Sequence, residues 1–303
     1  MKTTSILACA SLAAAASAFV IPQARDTASN SSTTINDTAI LNLALTLEHL
    51  ENAFYSGALS NFTADDFTND GLPVWARGRF EQIASHEQAH VQLLSNTLGS
   101  SAVQACNYSF PYTSPSSFAA LAQVLSGVGV AAYAGAAQYL TNKDYISTAA
   151  SILATEARHA SWIAGPVNKA NPWSGPYDTP LTFDSAYTLG AQFITSCPSS
   201  NPSLPVKSFP SLTLSNTTLG QVSEVTAGNN VTVEGQYVAF FSQEWSNHYP
   251  SNGMGTSYAV LTSGNSSADD SSITAGVVVL QFPYDSTGGS ETNARMDMAE
   301  DMM

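Results

Sequence analysis

Charge is scarce in this chain of 303 residues. Only 11% of positions are Asp, Glu, Lys or Arg, and nine bases face 23 acids, for a formal net charge of −14. So negative a field argues against nucleic acid or an anionic membrane as the main partner. The 44% hydrophobic content, with so little charge, equally argues against a disordered acidic chain. After the N-terminus no stretch of roughly 18 uninterrupted apolar residues occurs, so no membrane span is expected. Cysteine is nearly missing. Of three, Cys9 lies in the N-terminal apolar run, which leaves Cys106 and Cys197. In an oxidising compartment those two most simply form one disulfide, the alternative being two free thiols. Also missing are a Gly-x-Ser-x-Gly elbow, a phosphate loop and any nucleophile beside a base, so no catalytic residue is assigned and a hydrolase is disfavoured.

What is present begins with a targeting pattern. Lys2, the apolar run Ile6 to Ala15 and the small residues Ala16-Ser17-Ala18 read as a signal peptide over residues 1–18. Seven Asn-x-Ser/Thr sequons, at Asn30, Asn36, Asn61, Asn107, Asn216, Asn230 and Asn265, agree with secretion to the exterior or cell wall and with N-glycosylation. A polar leader over 19–36 follows. Residues 37–203 are helical in pattern, 204–288 turn β-like, and 289–303 form an acidic tail.

Four long helices are predicted. The first starts with Asp37 or Thr38 as cap and runs to about Ala58, the second from Pro73 to Gly99. The third follows Ser114-Pro115 to about Leu140, and the fourth runs from Lys143 to the stop at Gly165-Pro166. These lengths suit an antiparallel four-helix bundle. A shorter helix is expected at Asp184 to Thr195. Strands are expected at Ser211–Leu214, Val231–Val233, Tyr237–Ser242, Ser257–Thr262 and Ala275–Phe282, enough for a small sandwich with a structural or adhesive role.

The helical stripes carry the chemistry. On the second helix the inward face reads Phe80, Ile83, Glu87, His90, Leu94, and on the fourth it reads Ile152, Glu156, His159, Ile163. A Glu-x-x-His pair on each of two apolar faces puts carboxylates and imidazoles where burial is costly without a partner. A metal ion supplies that partner, and this donor set suits iron, manganese or zinc. With one more Glu from each remaining helix, paired Glu-x-x-His motifs are the di-iron or di-manganese bundle pattern. The first helix offers Glu48 and Glu51. The third repeats the frame of the first: Leu47-Glu48 with Tyr55 matches Leu125-Ser126 with Tyr133, and Gly57-Ala58 matches Gly135-Ala136. The two halves therefore read as a duplicated helical hairpin. Ser126 stands where the fourth carboxylate belongs, and a serine hydroxyl brings no charge to a metal. Glu51 either turns inward to compensate or accepts a hydrogen bond from a ligating histidine. Tyr55 and Tyr133 read as core fillers, with a hydrogen bond to a ligand or an electron-carrying role as the sharper alternative. His49 and His86 lie one step off the stripes, and His248 falls in the β region.

The stretch Leu41 to Tyr55, with Glu87-Gln88-Ala89-His90 and Gly127 to Tyr133, resembles a secreted ferritin-like family. It includes fungal stress-response and sexual-development proteins and plant desiccation-related proteins. The resemblance covers about residues 37–198. It implies a ferritin-like bundle, secretion, and the metal ligands Glu48, Glu87, His90, Glu156 and His159. Ser126 departs from members with a carboxylate on the third helix.

Two functions compete. One is an iron or manganese protein, with a metal pair or a single ion, acting as a di-metal carboxylate oxidoreductase that oxidises iron, consumes peroxide or oxidises a small molecule. The other is a non-catalytic extracellular stress protein, without metal, that uses the bundle as a scaffold and serves a cell-wall or extracellular partner. Glycans and the β region would obstruct a 24-subunit shell.

Overall fold

A computed structural model describes residues 35–173, 177–218, 221–227, 237–241, 245–246, 255–264 and 268–282. The targeting pattern, most of the leader, Asn30, Val231–Val233, Asn230, His248, Asn265 and the tail from 283 lie outside the described residues.

Six helices are described: α1 (Asp37–Asn61), α2 (Ala64–Asn69), α3 (Ala76–Leu98), α4 (Pro115–Ala136), α5 (Lys143–Trp162) and α6 (Phe183–Ala191). The four long ones are those expected from periodicity, with shifted ends. Asn36, not Asp37 or Thr38, caps α1: its side chain accepts from the Ala39 amide at 2.9 Å. Asp37 is used elsewhere, accepting from the Thr141 and Asn142 amides at the start of α5. Pro73 does not start α3. Its carbonyl accepts from the Ala76 amide in a preceding turn. Nor does the fourth helix stop at Gly165-Pro166. Pro166 has no N–H to give, and Ile163–Val167 widen into a π turn in which the Asn168 amide reaches the Ile163 carbonyl at 2.9 Å.

α1 packs on α3, α4 on α5, and the two hairpins meet through α1 and α4. On one side of the bundle Phe54, Tyr55, Phe67, Phe80 and Phe118 form an aromatic cluster, with Phe54 stacked on Phe118 at 4.9 Å. On the other side Ile40, Leu43, Tyr133, Ala149 and Ile152 pack together, next to Leu41, Leu45, Leu94 and Val103. The polar residues of the stripes lie between these two apolar layers. The segment Pro115–Tyr139 is long and apolar enough to cross a membrane, but 67% of its most apolar window is buried inside the fold. It reads as the core helix of the bundle.

The segment expected to be helical to Thr195 ends at Ala191, because its last residues pair instead. β1 (Asn107–Tyr108) and β2 (Ile194–Ser196) are antiparallel, and the Cys106–Cys197 disulfide closes beside them. β3 (Leu212–Thr218) pairs with β4 (Gln221–Ala227). β5 (Tyr237–Phe241), β6 (Trp245–Ser246), β7 (Gly255–Thr262) and β8 (Ile273–Phe282) make an antiparallel sheet in the order β6-β5-β7-β8. β7 and β8 share a core with the helices: Tyr258, Val260, Ile273 and Val277 pack against Val128 and Ala131 of α4 and Ala186 and Leu189 of α6. Chain approach is closest at Gly135, where a Cβ would lie 1.8 Å from the Leu181 carbonyl oxygen, so only glycine fits there.

Candidate metal centre

Glu48 and Glu51 of α1, Glu87 and His90 of α3, and Glu156 and His159 of α5 are all buried. Each of these helices continues with apolar turns above and below. The polar groups therefore cannot reach water by a small rotation, since turning a helix would expose its Leu, Ile and Phe stripe.

Glu87 and Glu156 divide their oxygens between the two imidazoles. Nδ1 of His90 lies 3.3 Å from Glu87 Oε2, 3.2 Å from Glu156 Oε1 and 3.3 Å from Glu48 Oε2. Nδ1 of His159 lies 3.2 Å from Glu87 Oε1 and 3.5 Å from Glu156 Oε2. Of these contacts only His90 to Glu48 has hydrogen-bond alignment. Both oxygens of Glu87, both of Glu156, Glu51 Oε2 and His159 Nδ1 are buried without a hydrogen-bond partner. Orphaned buried groups of this kind are costly. Donors aimed at a common point rather than at each other, about 3 Å apart, are what ligands at about 2.1 Å from a shared ion present. Glu48, Glu87, His90 and Glu156 each bring one donor atom within 4.8 Å of the others.

Without a cation the charges lean on each other. Burial would lower His90, but the carboxylates of Glu156, Glu48 and Glu87 outweigh it and push it up to about 12. His159 is likewise pulled down by burial and pushed up, to about 9, by Glu156 and Glu87. Burial raises Glu48 to about 8 against the opposing effect of His90. Glu87 is favoured by burial to be neutral, yet His159 and His90 bring it down to about 2. For Glu51 the opposing pull of His90 is outweighed: burial and the neighbouring Glu156, Glu87 and Glu48 hold it well above the ordinary range.

The duplicated frame is visible as reciprocal tyrosine contacts. The Tyr133 hydroxyl donates to Glu48 Oε1 at 2.6 Å, and the Tyr55 hydroxyl pairs with Ser126 Oγ at 2.9 Å. Each half thus sends its tyrosine to the equivalent position of the other half. Ser126 is buried and spends its hydroxyl there. His49 turns from the centre to the Val103 carbonyl, 3.2 Å from its Nε2. His86, set aside as off the stripe, does belong: its Nδ1 lies 2.9 Å from His159 Nε2, with the rings stacked. The sequence signal for it was weak, a residue one step before Glu87, since the contact depends on how closely α5 lies beside α3. Asn36, Asn61 and Asn107 are exposed.

Residues 36–169 match the ferritin-like domain family, which covers the four long helices and every buried carboxylate and imidazole described above. Protein rds1 of Schizosaccharomyces pombe (strain 972 / ATCC 24843) is 28% identical over 174 residues, 57% of this chain and 43% of that protein. The chain thus spans less than half the length of this relative.

Proposed function

We propose that this chain, whose residues 36–169 are a ferritin-like domain, is a secreted glycoprotein holding a pair of iron or manganese ions for oxidation chemistry. One observation carries the reading. Glu87 and Glu156 each turn one oxygen toward His90 and the other toward His159, and all four oxygens are buried and unpartnered. Carboxylates so divided are bridging ligands in waiting. Their oxygen-rich, nitrogen-poor donor set suits iron and manganese. A non-catalytic scaffold would instead be expected to satisfy these oxygens with hydrogen-bond donors.

Bound here, such a pair supplies electron exchange with oxygen or peroxide, as in ferroxidase-like, peroxide-consuming or oxidase chemistry. The chain's residues do the rest. Glu87 and Glu156 would hold both ions between them, and His90, His159 and Glu48 would each hold one. Tyr133 fixes one oxygen of Glu48, leaving the other toward His90. For His159 to present Nδ1, its Nε2 must carry the hydrogen, which it donates to His86. His86 is exposed, so this pair connects the centre to solvent. The apolar layers on both sides keep bulk water out. Secretion and glycosylation rest on the N-terminal pattern, the sequons and the disulfide.

The test is metal content on protein secreted from a eukaryotic host and purified without chelator or His-tag. Two equivalents of iron or manganese, lost in Glu87→Ala, are expected, followed by consumption of peroxide or oxygen. No metal, even after reconstitution, would overturn the reading.

A further inference from the structure

Resting on that metal reading, we infer that Glu51 is the missing fourth carboxylate, a second terminal one beside Glu48, delivered from α1 instead of α4, and that Gly129 is the residue that admits it. Glu51 sits one turn beyond Glu48 on the same face of α1 and is buried. Its Oε2 has no hydrogen-bond partner. The described imidazole hydrogen bonds run from His49 to the Val103 carbonyl, between His90 and Glu48 and between His86 and His159, and none reaches Glu51. The accepting role for His159 is held by His86.

The place it occupies is the one α4 vacates. A Cβ built on Gly129 would lie 2.9 Å from Glu51 Oε1 and 3.6 Å from Glu156 Oε2. Glu51 thus lies against bare backbone of α4, in space that any side chain at 129 would fill. In the duplicated frame Gly129 is the counterpart of Glu51, each four residues before its tyrosine, just as Ser126 is of Glu48, each seven residues before it. Both carboxylate positions survive in the first half and neither in the second. Ser126, engaged with Tyr55, offers the centre nothing.

The donors then sort into two sets. Glu48 and His90 converge with one oxygen each of Glu87 and Glu156. His159 faces the other two oxygens, and one of these, Glu156 Oε2, borders the same space over Gly129 as Glu51 Oε1. Each ion would receive one terminal carboxylate, one imidazole and two bridging oxygens. Four carboxylates also match the charge of two divalent ions, which Glu48, Glu87 and Glu156 alone do not.

Metal titration with manganese(II), read by calorimetry and by bound-metal analysis, distinguishes this from the parent reading. Wild type should bind two equivalents. Glu51→Gln should keep one and lose the second, or hold it at least about tenfold more weakly. Gly129→Ala should do the same although it removes no carboxylate from the chain, because the new methyl displaces Glu51. Ser126→Ala should keep both ions. Wild-type and variant folds are compared by circular dichroism, so Gly129→Ala serves if Glu51→Gln does not fold. Two full-affinity equivalents in both variants would overturn the role of Glu51 and leave the metal centre standing. A single equivalent in wild type would overturn it as well, and no metal in wild type would overturn the parent reading.

Discussion

Tyr133 and Tyr55 are equivalent in sequence frame but not in consequence. Tyr133 grips a carboxylate, Tyr55 a serine. Tyr133→Phe should lower metal affinity about tenfold by freeing Glu48 to rotate, and cost about 1–2 kcal/mol of stability through the lost buried hydrogen bond. Tyr55→Phe should leave affinity unchanged, since its partner is no ligand. Metal titration of the two variants side by side checks both. The imidazoles set the response to pH. In metal-free protein His159 is raised from 6.5 to about 9, burial being outweighed by Glu156 and Glu87. A folded-state value above the unfolded one gives stability that is complete below about pH 6.5 and lost as pH rises through about 9. Glu48, raised from 4.5 to about 8 mainly by burial, acts in the same direction as its neutral form is lost. Chelator-stripped protein should therefore melt at a lower temperature at pH 9 than at pH 6. In loaded protein the ligands have already given up their protons, so binding strengthens as pH rises and the melting temperature should not fall that way. Scanning calorimetry of both forms decides it.

The four long helices and the two Glu-x-x-His stripes were legible because period 3.6 shows through when carboxylates break an otherwise apolar face. Their ends were not, since a cap is settled by which nearby oxygen is free. Asp37 could have capped α1, but the α5 loop claims it. Short elements escaped for a related reason. α2 has too few residues to show a period, and β2 exists only because β1 lies opposite it across the disulfide. The position of Glu51 was legible, but its role was not. That role depends on the absence of a side chain at Gly129, on another helix. Close approach between elements also makes a prediction. Gly135→Ala would force α4 from the segment carrying Leu181, whose amide donates to the Ala131 carbonyl. A loss of about 3 kcal/mol, at the upper end of ordinary overpacking, is expected in urea unfolding. The contacts of α4 with the β7–β8 sheet should loosen with it.

Among the described residues one disulfide ties the chain covalently, and one core joins the bundle to β7 and β8. The Cys106–Cys197 bond spans 91 positions, from the connection before α4 to the strand after α6. Replacing both cysteines by serine should cost about 2–5 kcal/mol in urea unfolding. Metal content measured below the transition should be unchanged, because no ligand lies near the bridge in sequence. The fate of the two half-sites reaches further. A duplicated hairpin is at first a pair of interchangeable parts, and two copies of either half could rebuild the centre. With Glu51 in the role inferred for it, the halves are no longer interchangeable. A copy of the first half in place of the second would put a side chain where Glu51 lies against the bare backbone of Gly129, and paired copies of the second would bring no terminal carboxylate at all. The halves have become lock and key to each other: one carries the carboxylates, the other the room for them.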